Sequence, residues 1–159
     1  MTTLEQLYAA GRKVAIGSLT FAAEDIIRFA RDFDPQPFHL DEEEARHSLF
    51  GGLCASGWHT SAGWMKCFVQ FWNDEAGRLA AEGLRAPRLG PSPGFRNLKW
   101  LKPVYAGDTV TYAVALLEAR ALASRPGWRI NTLLCEGENQ HGEAVIRFES
   151  KVIEFTSGA

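Results

Sequence analysis

Apolar residues recur along this chain first at helical spacing and later in alternation, and the change of period divides it into two kinds of structure. Lys13-Val14-Ala15-Ile16-Gly17 reads as a short first strand. Thr20 is placed to cap a helix, with Glu24 and Asp25 in the first turn and Ala22, Ile26, Phe29, Ala30 and Phe33 on one face. Asp34-Pro35-Gln36-Pro37 ends that helix, because proline disfavours helical geometry in the residue before it. Asp41 then caps a short acidic turn, with Glu44 as its capping-box partner.

A long helix is predicted over about 57–76, beginning at Ser56 or Gly57. Trp58, Ala62, Met65, Val69, Trp72 and Ala76 form an unbroken apolar seam along it. Cys54, Ala55, Cys67, Phe68 and Phe71 widen that surface until the helix needs cover on most sides. The second half of Arg78–Gly94 reads as loop, and strands follow at Phe95–Pro103, Thr109–Leu117 and Trp128–Glu136. Tyr105–Asp108 and Asn139–Gly142 read as turns. In the last strand Ala144, Ile146, Phe148, Ser150 and Val152 oppose Arg147, Glu149 and Lys151. The pattern is α+β, and one curved antiparallel sheet wrapped around the long helix would satisfy it.

The 159 residues, 46% of them hydrophobic, suit a single domain spanning 1–159. Five Trp, ten Phe and three Tyr exclude a solvated coil. A net charge of −2 advertises no nucleic-acid surface. The cysteines, Cys54, Cys67 and Cys135, form no metal-binding or disulfide pattern. The start lacks a basic region followed by an apolar one, and the apolar run near Trp64–Trp72 is broken by Lys66 and Gln70, so the expectation is a cytoplasmic protein with no membrane span.

Two segments bear chemistry. In Asp34-Pro35-Gln36-Pro37-Phe38-His39 a carboxylate and an imidazole sit on a backbone stiffened by two prolines, which suits general acid–base work. The same spacing is compatible with Asp34 as a local cap and His39 as a structural histidine. Phe50-Gly51-Gly52-Leu53-Cys54-Ala55-Ser56-Gly57 leads into the long helix, whose free N–H groups can receive a carbonyl oxygen gaining negative charge. Its glycines equally permit a tight turn and close packing.

Together these segments resemble the MaoC-like acyl dehydratases, which include the (R)-specific enoyl-CoA hydratases of hot-dog fold. The family's Asp-x-Asn-Pro-apolar-His signature corresponds to Asp34–His39, Ala45 stands at its small-residue position, and Leu53–Gly57 corresponds to its apolar stretch ending in His-Gly. Leu101-Lys102-Pro103-Val104 and Gly107-Asp108-Thr109-Val110 look like its next strands, so the likeness runs over roughly residues 12 to 155. Gln36 replaces the usual Asn and Ser56 the usual His.

The resemblance implies a hot-dog fold and hydration of an enoyl thioester, or dehydration of a 3-hydroxyacyl thioester. Asp34 and His39 would be catalytic, and Gly57, Ser56 and Gln36 would serve the oxyanion and substrate, with no metal or cofactor. The expected partners are an acyl-CoA or acyl-carrier thioester and a second copy of the chain, hot-dog sheets pairing edge to edge as dimers or higher oligomers. The alternatives are a non-catalytic thioester binder or hydratase partner subunit, and an acyl-CoA thioesterase. The last would want a carboxylate on the long helix, whose first are Asp74 and Glu75. Arg85, Arg88, Arg96, Lys99 and Lys102 are candidates for CoA phosphates; His47, His59 and His141 are expected to be structural or solvated, with His59 able to line a pocket.

Overall fold

Six antiparallel strands form one sheet in the computed structural model, which describes residues 2–156. They are β1 (Lys13–Thr20), β2 (Arg88–Leu89), β3 (Gly94–Trp100), β4 (Thr109–Ala121), β5 (Trp128–Glu138) and β6 (Ala144–Phe155). The order is β1-β4-β5-β6, with β2 and β3 both pairing with the far side of β6. The helices are α1 (Leu4–Leu7), α2 (Ala23–Phe33), α3 (Pro37–Leu40), α4 (Glu42–Arg46) and α5 (Gly57–Ala81).

Bulges bend the sheet around α5. One lies between Ala15 and Gly17 in β1, where Gly17 has φ 132° and Cys67 of α5 lies against the place a side chain would occupy. The face of α5 turned to the sheet carries Thr60, Gly63, Trp64 and Cys67, all buried. Gly63 makes room for Tyr112, whose Oη donates to the Thr60 carbonyl at 2.7 Å. The Trp64 indole donates to the Ala113 carbonyl at 3.0 Å and stacks on Phe68. This is the hot-dog arrangement.

Several expectations need correction. The seam through Trp58, Ala62, Met65 and Val69 faces outward, with Trp58, Met65 and Val69 about half exposed. Two neighbouring stripes of α5 are apolar, and Trp64, Cys67 and Phe68 fill the space under the sheet, leaving the other stripe outside. The helix runs to Ala81 rather than 76. Thr20 ends β1 and bonds Thr109 across the strands, while Ala22 stands at the N-cap of α2. Asp41 does cap α4, accepting from the amides of Glu43 and Glu44, although no capping box is formed. Two short elements, α1 and β2, fall where only loop or nothing was expected.

The N-terminal turn is pinned by polar contacts. Glu154, fully buried in β6, accepts the Leu4 N–H at 3.0 Å and the Asn131 amide at 2.9 Å. Tyr8 donates to Glu75 on α5 at 2.5 Å. Among the described residues, no helix is long and apolar enough to cross a membrane.

Candidate active site

Asp34 terminates α2, its N–H bonded to the Ala30 carbonyl, and Pro35 prevents another helical turn. Gln36 is extended, and Pro37 at the first position of α3 starts one turn of helix carrying His39. The stiff loop expected over 34–39 therefore contains a helical turn. That turn aims the His39 ring back at the Asp34 carboxylate.

His39 is buried, and its Nδ1 lies 2.6 Å from the Cys54 carbonyl. A carbonyl only accepts, so Nδ1 carries the proton and the neutral ring keeps its lone pair on Nε2. Nε2 stands 3.4 Å from Asp34 Oδ2. The Cys54 carbonyl is held in place because the chain beside it bonds Val104 and Ala106, through Ala55 N–H to Val104 O and Ala106 N–H to Leu53 O.

Gln36 donates to Asp34 Oδ1 at 2.7 Å. Ser56, fully buried, caps α5 by accepting the Trp58 N–H at 3.2 Å, and its hydroxyl lies near enough to Asp34 to favour the charged carboxylate. Partial burial pushes the Asp34 carboxyl upward, but Ser56, the Gln36 hydrogen bond and the charge that His39 carries when protonated prevail and hold it below the usual aspartate range.

Beside this pair lies a cavity of about 270 Å³ with His39, Phe50, Gly57, Trp100, Lys102 and Val104 on its walls. Of the first amides of α5, that of Trp58 goes to Ser56 Oγ and those of His59 and Thr60 go to the Ser56 carbonyl. The Gly57 N–H makes no hydrogen bond among the described residues. Trp100 packs on Gly57 so closely that an added Cβ would come within 2.4 Å of the ring. The Cys54 thiol is pushed by burial to about 11 and stays protonated near neutral pH, so it is no ready nucleophile.

The family described as MaoC like domain matches residues 6–127. The chain belongs to that family. A MaoC-like dehydratase from Rhodospirillum rubrum is 36% identical, with 100% of each chain covered and a TM-score of 0.80. YdeM, an uncharacterized protein of Bacillus subtilis (strain 168), is 30% identical over 146 residues, or 92% of this chain and 94% of YdeM. An (R)-hydratase from A. caviae involved in PHA biosynthesis shares the fold at 23% identity, with 94% of this chain and 98% of the other covered and a TM-score of 0.61.

In this MaoC-like chain, all five expected site residues gather at one place. Gln36 and Ser56 face Asp34, and of the five only His39 and Gly57 line the cavity. Of the basic candidates only Lys102 is on the cavity wall, where it pairs with Glu143; Arg96 pairs with Glu149, and Arg88 lies over the Phe155 ring. His59 lines a different cavity, stacked on Phe29 at 4.6 Å, and burial lowers its pKa. Two contributors were not expected. The Cys54 carbonyl, a backbone atom, has no side-chain signature, and Trp100 arrives from the end of β3 across the fold.

Proposed function

We propose that this chain adds water across the double bond of an enoyl thioester, or removes it from a 3-hydroxyacyl thioester, using Asp34 and His39. The observation that carries this reading is the pairing of two acceptors, Asp34 Oδ2 and His39 Nε2, 3.4 Å apart. A water seated beside both donates one O–H to each and turns an oxygen lone pair outward.

In hydration, the water oxygen bonds to the β-carbon as one of its protons passes to the Asp34–His39 pair. The electrons of the double bond move toward the thioester oxygen, where the Gly57 N–H receives the developing charge. The pair then delivers a proton to the α-carbon. The balance is one water added, with no change in oxidation state overall, so the steps call for no redox cofactor. Positioned acid–base groups supply about 10²–10⁴-fold and an oxyanion donor about 10²–10³-fold. Gln36 and Ser56 act as positioning residues that keep Asp34 ionised. The names of the Rhodospirillum rubrum dehydratase and the A. caviae hydratase support the same reaction class.

A thioesterase reading is disfavoured by α5. Its first carboxylates, Asp74 and Glu75, lie nearly five turns from Gly57, and Glu75 is engaged by Tyr8 and Arg78.

We further propose a homodimer. The outward stripe of Trp58, Met65 and Val69 is about half exposed, and among the described residues β3 pairs only with β6, leaving its other edge and the exposed Phe95 uncovered. A second copy joined edge to edge there would cover both.

The test is a panel of trans-2-enoyl-CoAs followed for loss of enoyl absorbance and for thiol release. Absorbance loss without thiol is expected. Thiol release would indicate a thioesterase, and binding without either signal would indicate a non-catalytic binder.

A further inference from the structure

β3 carries a bulge between Arg96 and Lys99, and at it Asn97 has φ 56°, the one positive φ outside glycine among the described residues. The Asn97 amide is tied to Glu149 at 2.9 Å. A bulge re-aims the residues that follow it, and strained backbone of this kind persists only where the surroundings hold it. The strand past this bulge ends on Trp100.

Trp100 is 45% exposed, so burial alone does not account for its position. Its indole lies on Gly57, its Nε1 donates to Ser61 Oγ at 3.2 Å, and its ring meets that of Trp58 edge-on at 5.0 Å. Ser61 Oγ in turn donates to the Gly57 carbonyl at 3.0 Å. These contacts lock the ring against the first turn of α5.

Trp100 and Gly57 belong to the wall of the 270 Å³ cavity that holds His39. The partners of the indole, Trp58 and Ser61, line a second space of about 430 Å³ that continues along α5 and β3 past Met65, Phe95, Leu98 and Phe148. Trp100 itself lines the first space and reaches the second through these two partners.

We propose that Trp100 is a specificity-determining residue, a partition that closes the acyl cavity against the neighbouring apolar groove and restricts the site to short acyl chains. The proposal rests on the hydratase reading above and adds which acyl groups that site admits. With the ring in place, a chain growing away from the thioester meets the indole. Without it the two spaces join, and each further methylene buried in the groove, which the second copy of the proposed dimer would roof along Met65 and Phe95, gains about fourfold in affinity.

The test compares native protein with Trp100→Ala and with Trp100→Leu, which keeps an apolar side chain against Gly57. Hydration of trans-2-butenoyl-CoA and trans-2-decenoyl-CoA gives the ratio of kcat/KM for the long over the short substrate, and calorimetry with butanoyl-CoA and decanoyl-CoA gives the corresponding ratio of affinities. Both ratios are expected to rise at least about tenfold in Trp100→Ala and by a smaller factor in Trp100→Leu, in line with the methylenes gained. An unchanged ratio, or an equal loss for both chain lengths, would overturn the partition and leave Trp100 as packing for Gly57. If the native protein hydrates neither substrate while the affinity ratio still shifts, the hydratase reading fails and the partition stands.

Discussion

The imidazole of His39 is committed to the Cys54 carbonyl through Nδ1, at 2.6 Å, so its neutral form turns the Nε2 lone pair to the space shared with Asp34. This one hydrogen bond decides which nitrogen is available for chemistry. It comes from backbone, so no substitution at position 54 removes it outright.

The carboxylate of the pair is held ionised by its neighbours, which sets a pH dependence. Ser56 and Gln36 both favour charged Asp34, so Gln36→Ala and Ser56→Ala raise its pKa and move the acidic limb of the pH–rate profile upward. The stability that Asp34 contributes is present above its unfolded value, near 3.9, and is lost as pH falls through the lowered folded value. Both variants lose part of that acid tolerance. Ser56→Ala also costs about 1 kcal/mol because the cap on the Trp58 amide is gone. Profiles superimposable on the native one would contradict the role given to these residues.

Gly57 and Trp100 are expected to be coupled. In Gly57→Ala the new methyl meets the indole and displaces it, so hydration of a short enoyl-CoA falls. With Trp100→Ala also present the methyl has space, and the penalty shrinks. A double-mutant cycle on kcat/KM is expected to return a coupling of about 1–3 kcal/mol, and strict additivity would refute the contact's importance.

The local part of this site was legible in the sequence because its residues are neighbours along the chain. Two prolines made the Asp34–His39 geometry stiff, and the small residues before Gly57 marked a helix start that a ligand can approach. Trp100 was not legible, since its place over Gly57 depends on a bulge in β3 and on the register of β3 with β6. The outward turn of one α5 stripe is not legible for a related reason. Helical spacing identifies Trp58, Ala62, Met65 and Val69 as one stripe, but only packing decides whether that stripe or the one through Trp64 and Cys67 meets the sheet. At Thr20, the hydroxyl that looked like a helix cap is used across strands by Thr109.

That exposed stripe gives a prediction about assembly. Native protein is expected to run as a dimer in size-exclusion chromatography with light scattering. Met65→Glu combined with Val69→Glu puts charge into the contact and is expected to yield monomer. A native monomer would contradict the dimer, and a dimer indifferent to both substitutions would place the interface elsewhere.

The contact between α1 and α5 gives a stability prediction. The Arg78 hydrogen bond, opposed by partial burial and aided by that of Tyr8, holds Glu75 down to about 2. Its contribution is present above the unfolded value, near 4.3, and is lost as pH falls toward about 2. Glu75→Gln should therefore lower the urea midpoint near neutral pH, with the gap to native closing in acid. A gap independent of pH would contradict the ionic account.

The central claim is that the charge of Asp34, beside His39 Nε2, activates the water. The most direct measurement is the kcat for hydration of trans-2-butenoyl-CoA by Asp34→Asn beside native protein, with circular dichroism and melting temperature recorded on both. The substitution keeps the shape and removes the base, so kcat is expected to fall by about 10²–10⁴-fold while the fold is retained. A folded Asp34→Asn protein hydrating within a few fold of native would contradict the account.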